Sequence, residues 1–197
     1  MTRGRTTNSR GFTLVELMVV VVLVGVLAVL GLVILGRHQK ASRTYETLAM
    51  VQSIRIAQER WRAENLTYLN VSAQNPDDPT GQGGVWFPRP VVGSGAQGSR
   101  RMNFLQAASS HPQGEAWIML NPTSNPLVYG GYKTNAGMSH QAMTTPEFPV
   151  TGGFSWGTPT ESWYVIQAVM DTDEDGNVSY YLASSLNGEV YRQNEGE

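Results

Sequence analysis

Near the C-terminal end, the stretch Asp171-Thr-Asp-Glu-Asp-Gly-Asn177 sets aspartates at 171, 173 and 175 and a glycine at 176. Alternating carboxylates can converge on a hard cation such as Ca2+, and the glycine permits a sharp turn. The Asn177 carbonyl would add a further oxygen ligand. Three carboxylates this close repel one another unless a cation neutralises them, so a calcium site in this loop is a credible reading. The competing reading is an acidic, solvated hairpin turn. A full EF-hand is not expected, because its twelfth position falls on Leu182 instead of a bidentate glutamate.

Two enzyme patterns are present and fail on context. Gly153-Phe-Ser-Trp-Gly157 satisfies G-x-S-x-G, but that motif needs a strand before it and a helix after it, whereas Thr151-Gly-Gly precedes and Thr158-Pro follows. All three histidines (His38, His111, His140) also precede Ser155, against the expected chain order, and they lie on no zinc-ligand spacing. Gly93-Ser-Gly-Ala-Gln-Gly98 satisfies G-x-G-x-x-G, yet it sits in a Gly/Pro-rich stretch after Pro88-Arg-Pro90 with no βαβ unit around it. No catalysis is expected. Trp86, Trp117, Trp156 and Trp163 read as core or surface anchors more readily than as a sugar platform.

A different chemistry is set up at the other end. Residues Leu17–Gly36 form an uncharged run of 20 residues, about 30 Å long as a helix, enough to cross the hydrocarbon core of a bilayer. Fifteen of them are Leu, Ile or Val, and their summed insertion energy is on the order of -5 to -9 kcal/mol as an upper bound. A buried helix of a soluble protein seldom runs this far without a charge. A cleaved secretory signal fits poorly, since Val33-Ile-Leu-Gly-Arg offers no small-x-small site. Glu16 stands inside the apolar stretch that begins at Phe12. A carboxylate at membrane depth costs roughly 2.5–3.5 kcal/mol if central, less near the interface. No Lys or Arg lies three or four residues away on the same helix, so a cationic partner would come from outside it. The alternative is that Glu16 snorkels to the interface.

The residues Gly11-Phe-Thr-Leu-Val-Glu-Leu-Met-Val-Val20 resemble the processing signal of type IV prepilins and the related pseudopilins. The resemblance is close over about residues 10–36 and looser to about 65. It implies a leader, Met1–Gly11, removed by a prepilin peptidase between Gly11 and Phe12, with N-methylation of Phe12. It also implies that Glu16 pairs with the terminal ammonium of a neighbouring subunit, which would supply the missing cation and set the subunit register. Some pseudopilins hold calcium in C-terminal loops, so the resemblance also bears on Asp171–Asn177. One departure is Val33, where many type IV pilins have a proline late in the apolar segment. Gly25, Gly31 and Gly36 would loosen the helix instead, or let neighbouring helices pack closely.

The elements that would position these groups follow from pattern. No Gly or Pro occurs from Arg37 to Asn65, and Ala41, Tyr45, Leu48, Met50, Ile54, Ala57 and Trp61 recur at three- or four-residue spacing. A helix leaving the membrane with such a stripe should bury it under a globular head; a free-standing coiled coil is disfavoured because the stripe is short and drifts. The helix is expected to end in Asn65–Asn75, with a long loop over Asn75–Ser99. Strands are expected at Trp117–Leu120, Leu127–Tyr132, Trp163–Met170, Val178–Ser184 and Glu189–Arg192, the last three as an antiparallel meander.

The organisation expected is a leader (1–11), a transmembrane and assembly segment (12–36), an amphipathic continuation of the helix (37–65) and an α+β head with an antiparallel β-sheet (66–197). Charge divides with it: the first 65 residues carry a balance of +5 and the remainder -7. An acidic distal part argues against nucleic acid as a ligand, and the basic residues bracket the apolar run as in a membrane anchor. The absence of cysteine excludes a disulfide framework and thiolate chemistry without excluding export. The function expected from the resemblance is a structural subunit of a type IV pilus or pilus-like filament. It would sit in the bacterial inner membrane before assembly and in a periplasmic or extracellular filament afterwards. Its partners would be the prepilin peptidase, other pilin subunits and the pilus assembly machinery. The alternatives are a pseudopilin of a type II secretion system, or a membrane-anchored calcium-binding module that does not polymerise.

Overall fold

The computed structural model describes residues 12–72, 86–88, 102–104, 108, 111–122, 127–143, 156–171 and 176–195. The chain divides into two compact units, Met1–Gln39 and Lys40–Glu197. Helix α1, Leu14–Asn65, contributes to both.

In the first unit α1 is apolar all round from Leu17 to Leu32. Leu14–Leu32 has a mean hydropathy of 2.9 and none of it is buried. Such a surface is stable only in lipid or against other apolar helices.

The second unit is built on the antiparallel sheet β3-β4-β5-β6, in sequence order: β3 Gly131–Gly137, β4 Trp163–Met170, β5 Ser179–Ser184 and β6 Val190–Gln193. The expected meander of the last three strands is present. In the register Tyr132 faces Ala168, which faces Tyr181, and these point toward the core under α1; Val165 and Leu182 point to the opposite face. A two-stranded ladder pairs β1 (Met102–Asn103) with β2 (Leu127–Val128). The result is the α+β layout expected: an apolar N-terminal helix running on into a head with antiparallel sheets.

α1 meets the core through Thr44, Thr47, Met50, Val51, Ile54, Ala57 and Gln58, all buried, with Leu48 and Trp61 partly so. Ala41 and Tyr45 do not join this face, and Tyr45 is 70% exposed. Hydrophobic periodicity misplaced the stripe there because the buried positions in that turn are threonines. The Gln58 amide donates to the Leu69 carbonyl (2.8 Å) and Thr134 Oγ1 (3.0 Å), and accepts from the Leu69 N–H (3.0 Å). These bonds satisfy it, so a polar side chain is tolerated inside. α1 ends where Leu66 turns left-handed (φ 63°) and its N–H bonds to the Arg62 carbonyl.

Two expectations are corrected. Trp117–Leu120 is not a strand but part of helix α2, Gly114–Leu120. Trp117 and Leu120 are buried while Ile118 and Met119 are half exposed, a three-residue period that a four-residue apolar run does not reveal. The stretch Leu127–Tyr132 is not one strand: β2 ends at Val128, and β3 begins at Gly131 and continues through Lys-Thr-Asn-Ala-Gly to Gly137. That polar run is extended and buried because both its faces are covered. The Asn75–Ser99 loop lies largely outside the described residues; Trp86–Pro88 within it is described, and Phe87 bridges Tyr132 through two backbone hydrogen bonds (2.9 and 2.7 Å).

Candidate functional site

The first described residues set up the site. Phe12 and Thr13 precede the helix, and Phe12 is 82% exposed. Thr13 is the N-cap of α1 and Glu16 its third residue. The Glu16 N–H donates to Thr13 Oγ1 (3.2 Å), while the Thr13 N–H and hydroxyl both donate to Glu16 Oε2 (2.9 Å each). This reciprocal capping box satisfies backbone donors that an uncapped helix start would leave open. The T-x-x-E signal was legible in Thr13-Leu-Val-Glu16, and sequence reasoning missed it by weighing Glu16 only as a membrane charge.

The carboxylate contacts of Glu16 among the described residues engage Oε2 alone. Among the described residues no cation pairs with it. A carboxylate exposed on an apolar helix is an acceptor to which a cation can pair. Gly11, the residue before the expected cut, lies outside the described residues.

The acidic loop after β4 is described only at its ends. Asp171 Oδ2 accepts the Gly176 N–H (3.2 Å), and Gly176 holds φ +91°, a conformation that suits glycine. Asn177 is exposed. Asp173 and Asp175 lie outside the described residues, and among the described ones no three His, Cys, Asp or Glu side chains gather as metal ligands. The G-x-G-x-x-G stretch is likewise outside, as are Gly153–Ser155 of the G-x-S-x-G stretch.

The remaining polar groups of the head act structurally. The Gln113 N–H donates to His111 Nδ1 (3.2 Å), so Nδ1 is the bare nitrogen, and Nε2 carries the proton directed at the Trp86 carbonyl (3.3 Å). Burial holds the His111 imidazole below its ordinary range, with the Trp86 carbonyl opposing. Arg60 donates to the Leu120 and Asn121 carbonyls (2.7 and 3.0 Å), closing the C-terminal end of α2. Arg55 donates to the Gly188 carbonyl (2.8 Å) and, more weakly, to those of Glu189 and Asn187, pinning the β5–β6 turn to α1. Arg62 Nη1 donates to the Tyr68 hydroxyl (2.8 Å), which donates to Glu59. Trp117 and Trp163 are buried, as anchors should be, and Trp86 and Trp156 are half-buried.

Residues 6–35 match the prokaryotic N-terminal methylation motif. No curated protein and no solved structure matches the chain significantly.

Proposed function

We propose, from the type IV prepilin-like signature that residues 6–35 carry, that this chain is a structural subunit of a type IV pilus or pilus-like filament. In this reading a prepilin peptidase hydrolyses the Gly11–Phe12 peptide bond on the cytoplasmic side, the new Phe12 amine is methylated, and the subunit waits in the inner membrane. Assembly then moves the apolar half of α1 out of lipid and among the same segments of neighbouring subunits.

The observation that carries the proposal is the state of Glu16. Its carboxylate stands on a lipid-length apolar helix, fixed by Thr13, and among the described residues no cation pairs with it. The ammonium that processing creates at Phe12 of a neighbour would supply one. Pairing two charges in an apolar core neutralises both and rejects an unprocessed subunit, whose Phe12 nitrogen is still an amide without charge. The exposed, non-helical position of Phe12 supports access of the processing enzyme to the bond before it.

The mass of the mature N-terminus tests this directly. A chain starting at N-methyl-Phe12 in sheared filaments is the expected result. An intact Met1 in the membrane fraction, with no filament containing the chain, would overturn it.

A further inference from the structure

We propose that Asn187–Gly188, in the turn between β5 and β6, is a self-modification site where the Asn187 amide converts spontaneously to a carboxylate under the charge of Arg55. The inference stands apart from the filament reading above.

Asn-Gly occurs once in the chain, at this turn. Both residues are exposed, and a Cβ added at Gly188 would meet nothing within 4 Å. With no side chain, Gly188 neither shields its own nitrogen nor limits the rotation that brings this nitrogen onto the carbon of the preceding side-chain amide. Arg55 reaches over from α1. It donates to the Gly188 carbonyl (2.8 Å) and, more weakly, to those of Glu189 (3.4 Å) and Asn187 (3.5 Å). One guanidinium thus lies along the carbonyls on both sides of the Gly188 nitrogen. To react, that nitrogen must give up its proton and carry negative charge, and a fixed cation beside it favours the charged form. The grip of Arg55 is on oxygens, so it engages neither the nitrogen nor the Asn187 side chain.

The step uses only water. The Gly188 nitrogen loses its proton and attacks Asn187 Cγ; the bond from Cγ to the side-chain nitrogen breaks, and ammonia leaves with the proton. Water then opens the cyclic imide at either carbonyl, and nothing is oxidised or reduced. Opening one way leaves an aspartate at position 187, whose new carboxylate forms beside Arg55 and can draw it into a charge-assisted pair. Opening the other way routes the main chain through the former side chain, which adds a methylene to the backbone and shifts the carbonyls that Arg55 holds. Either product adds negative charge where the β5–β6 turn is pinned to α1.

Peptide mapping of the full chain, kept in detergent micelles at mildly alkaline pH, tests this by mass and by separation of the two acid isomers. Position 187 should convert at least about tenfold faster than any other asparagine, and Gly188→Ala should slow it by a similar factor. Arg55→Leu should slow conversion, whereas Arg55→Lys, which keeps the charge and loses the fork, should stay near the native rate. Faster conversion in Arg55→Leu would overturn the proposal, since Arg55 would then only hold the turn still. Equal slowing in both Arg55 variants would overturn it too, because charge would not be the cause. So would an Asn187 that survives in the folded chain while the same chain in urea converts.

Discussion

Glu16 closes the helix cap and, in the filament reading, also accepts a neighbour's ammonium, and substitution can separate the two. Glutamine can close a capping box but carries no charge, so Glu16→Gln should keep the start of α1 while losing the acceptor for a neighbouring ammonium. Membrane insertion and helix content measured by circular dichroism should be unchanged, and recovery of the chain in sheared filaments should fall at least tenfold, on the order of a lost buried charge pair. Filaments at the normal level with Glu16→Gln would show that charge is not what the site supplies. Thr13→Val removes the cap and should weaken the first turn by about 1 kcal/mol, seen as faster amide exchange at 14–17. A second titrating residue, His111, predicts a pH effect on the head. Its imidazole is held below the ordinary value of 6.5, so below that pH the unfolded chain binds the proton more readily than the folded one. Stability is thus fully present above pH 6.5 and is lost as pH falls through the lowered folded value. Between pH 7.5 and 5.5 the chain should lose stability to urea, and His111→Gln should flatten that loss; equal slopes would refute the assignment.

At the scale of elements, two backbone positions set boundaries that can be measured. Leu66 occupies a left-handed conformation that glycine adopts freely, and its side chain is 84% exposed, so nothing is lost with it. Leu66→Gly should stabilise the head by about 0.5–1 kcal/mol in urea unfolding. Gly114 is the opposite case, since a Cβ there would lie 1.7 Å from the Ala108 carbonyl oxygen. Gly114→Ala must move backbone and should destabilise by about 1–3 kcal/mol. Such positions also explain what the sequence could and could not tell. The three C-terminal strands were legible because aromatic and β-branched residues gather there between clear turn residues. The membrane-length half of α1 was legible because nothing else accounts for a long uncharged run. α2 was misread because Trp-Ile-Met-Leu has no period within four residues, and the deciding fact, which side faces Phe87 and Phe104, is tertiary. β3 was missed because Lys133, Thr134 and Asn135 are buried by partners distant in sequence. The cut site and the role of Glu16 came from family resemblance, while the capping box that holds Glu16 was in the sequence and went unread.

For the whole molecule, beyond the span itself, the described residues of α1 hold a surface whose composition is out of place in water. On the side of α1 opposite the core, Tyr45, Ala49, Gln52, Ile56 and Ala63 recur at three-, four- and seven-residue spacing, and all are exposed. From Tyr45 to Ile56 these positions carry no charge, and the face turns charged at Glu59 and Arg60 in the turn before Ala63. A solvated helix face ordinarily carries its charges there, and this one carries a tyrosine 70% exposed and an isoleucine 63% exposed. In the filament reading the stripe continues outside the bilayer the task that the apolar span performs within it, receiving a neighbouring subunit. Ile56→Lys separates the two possibilities. Because Ile56 is mostly exposed, the substitution should leave head stability within about 0.5 kcal/mol and leave processing to Phe12 intact. Burying an unpaired ammonium against a neighbour would be strongly unfavourable, so the chain in sheared filaments should fall at least about tenfold. Pulse-labelled membrane subunit should accumulate in its place. Filament yield at the normal level would show instead that this face looks onto water in the assembled state, and would confine subunit contact to the span below it.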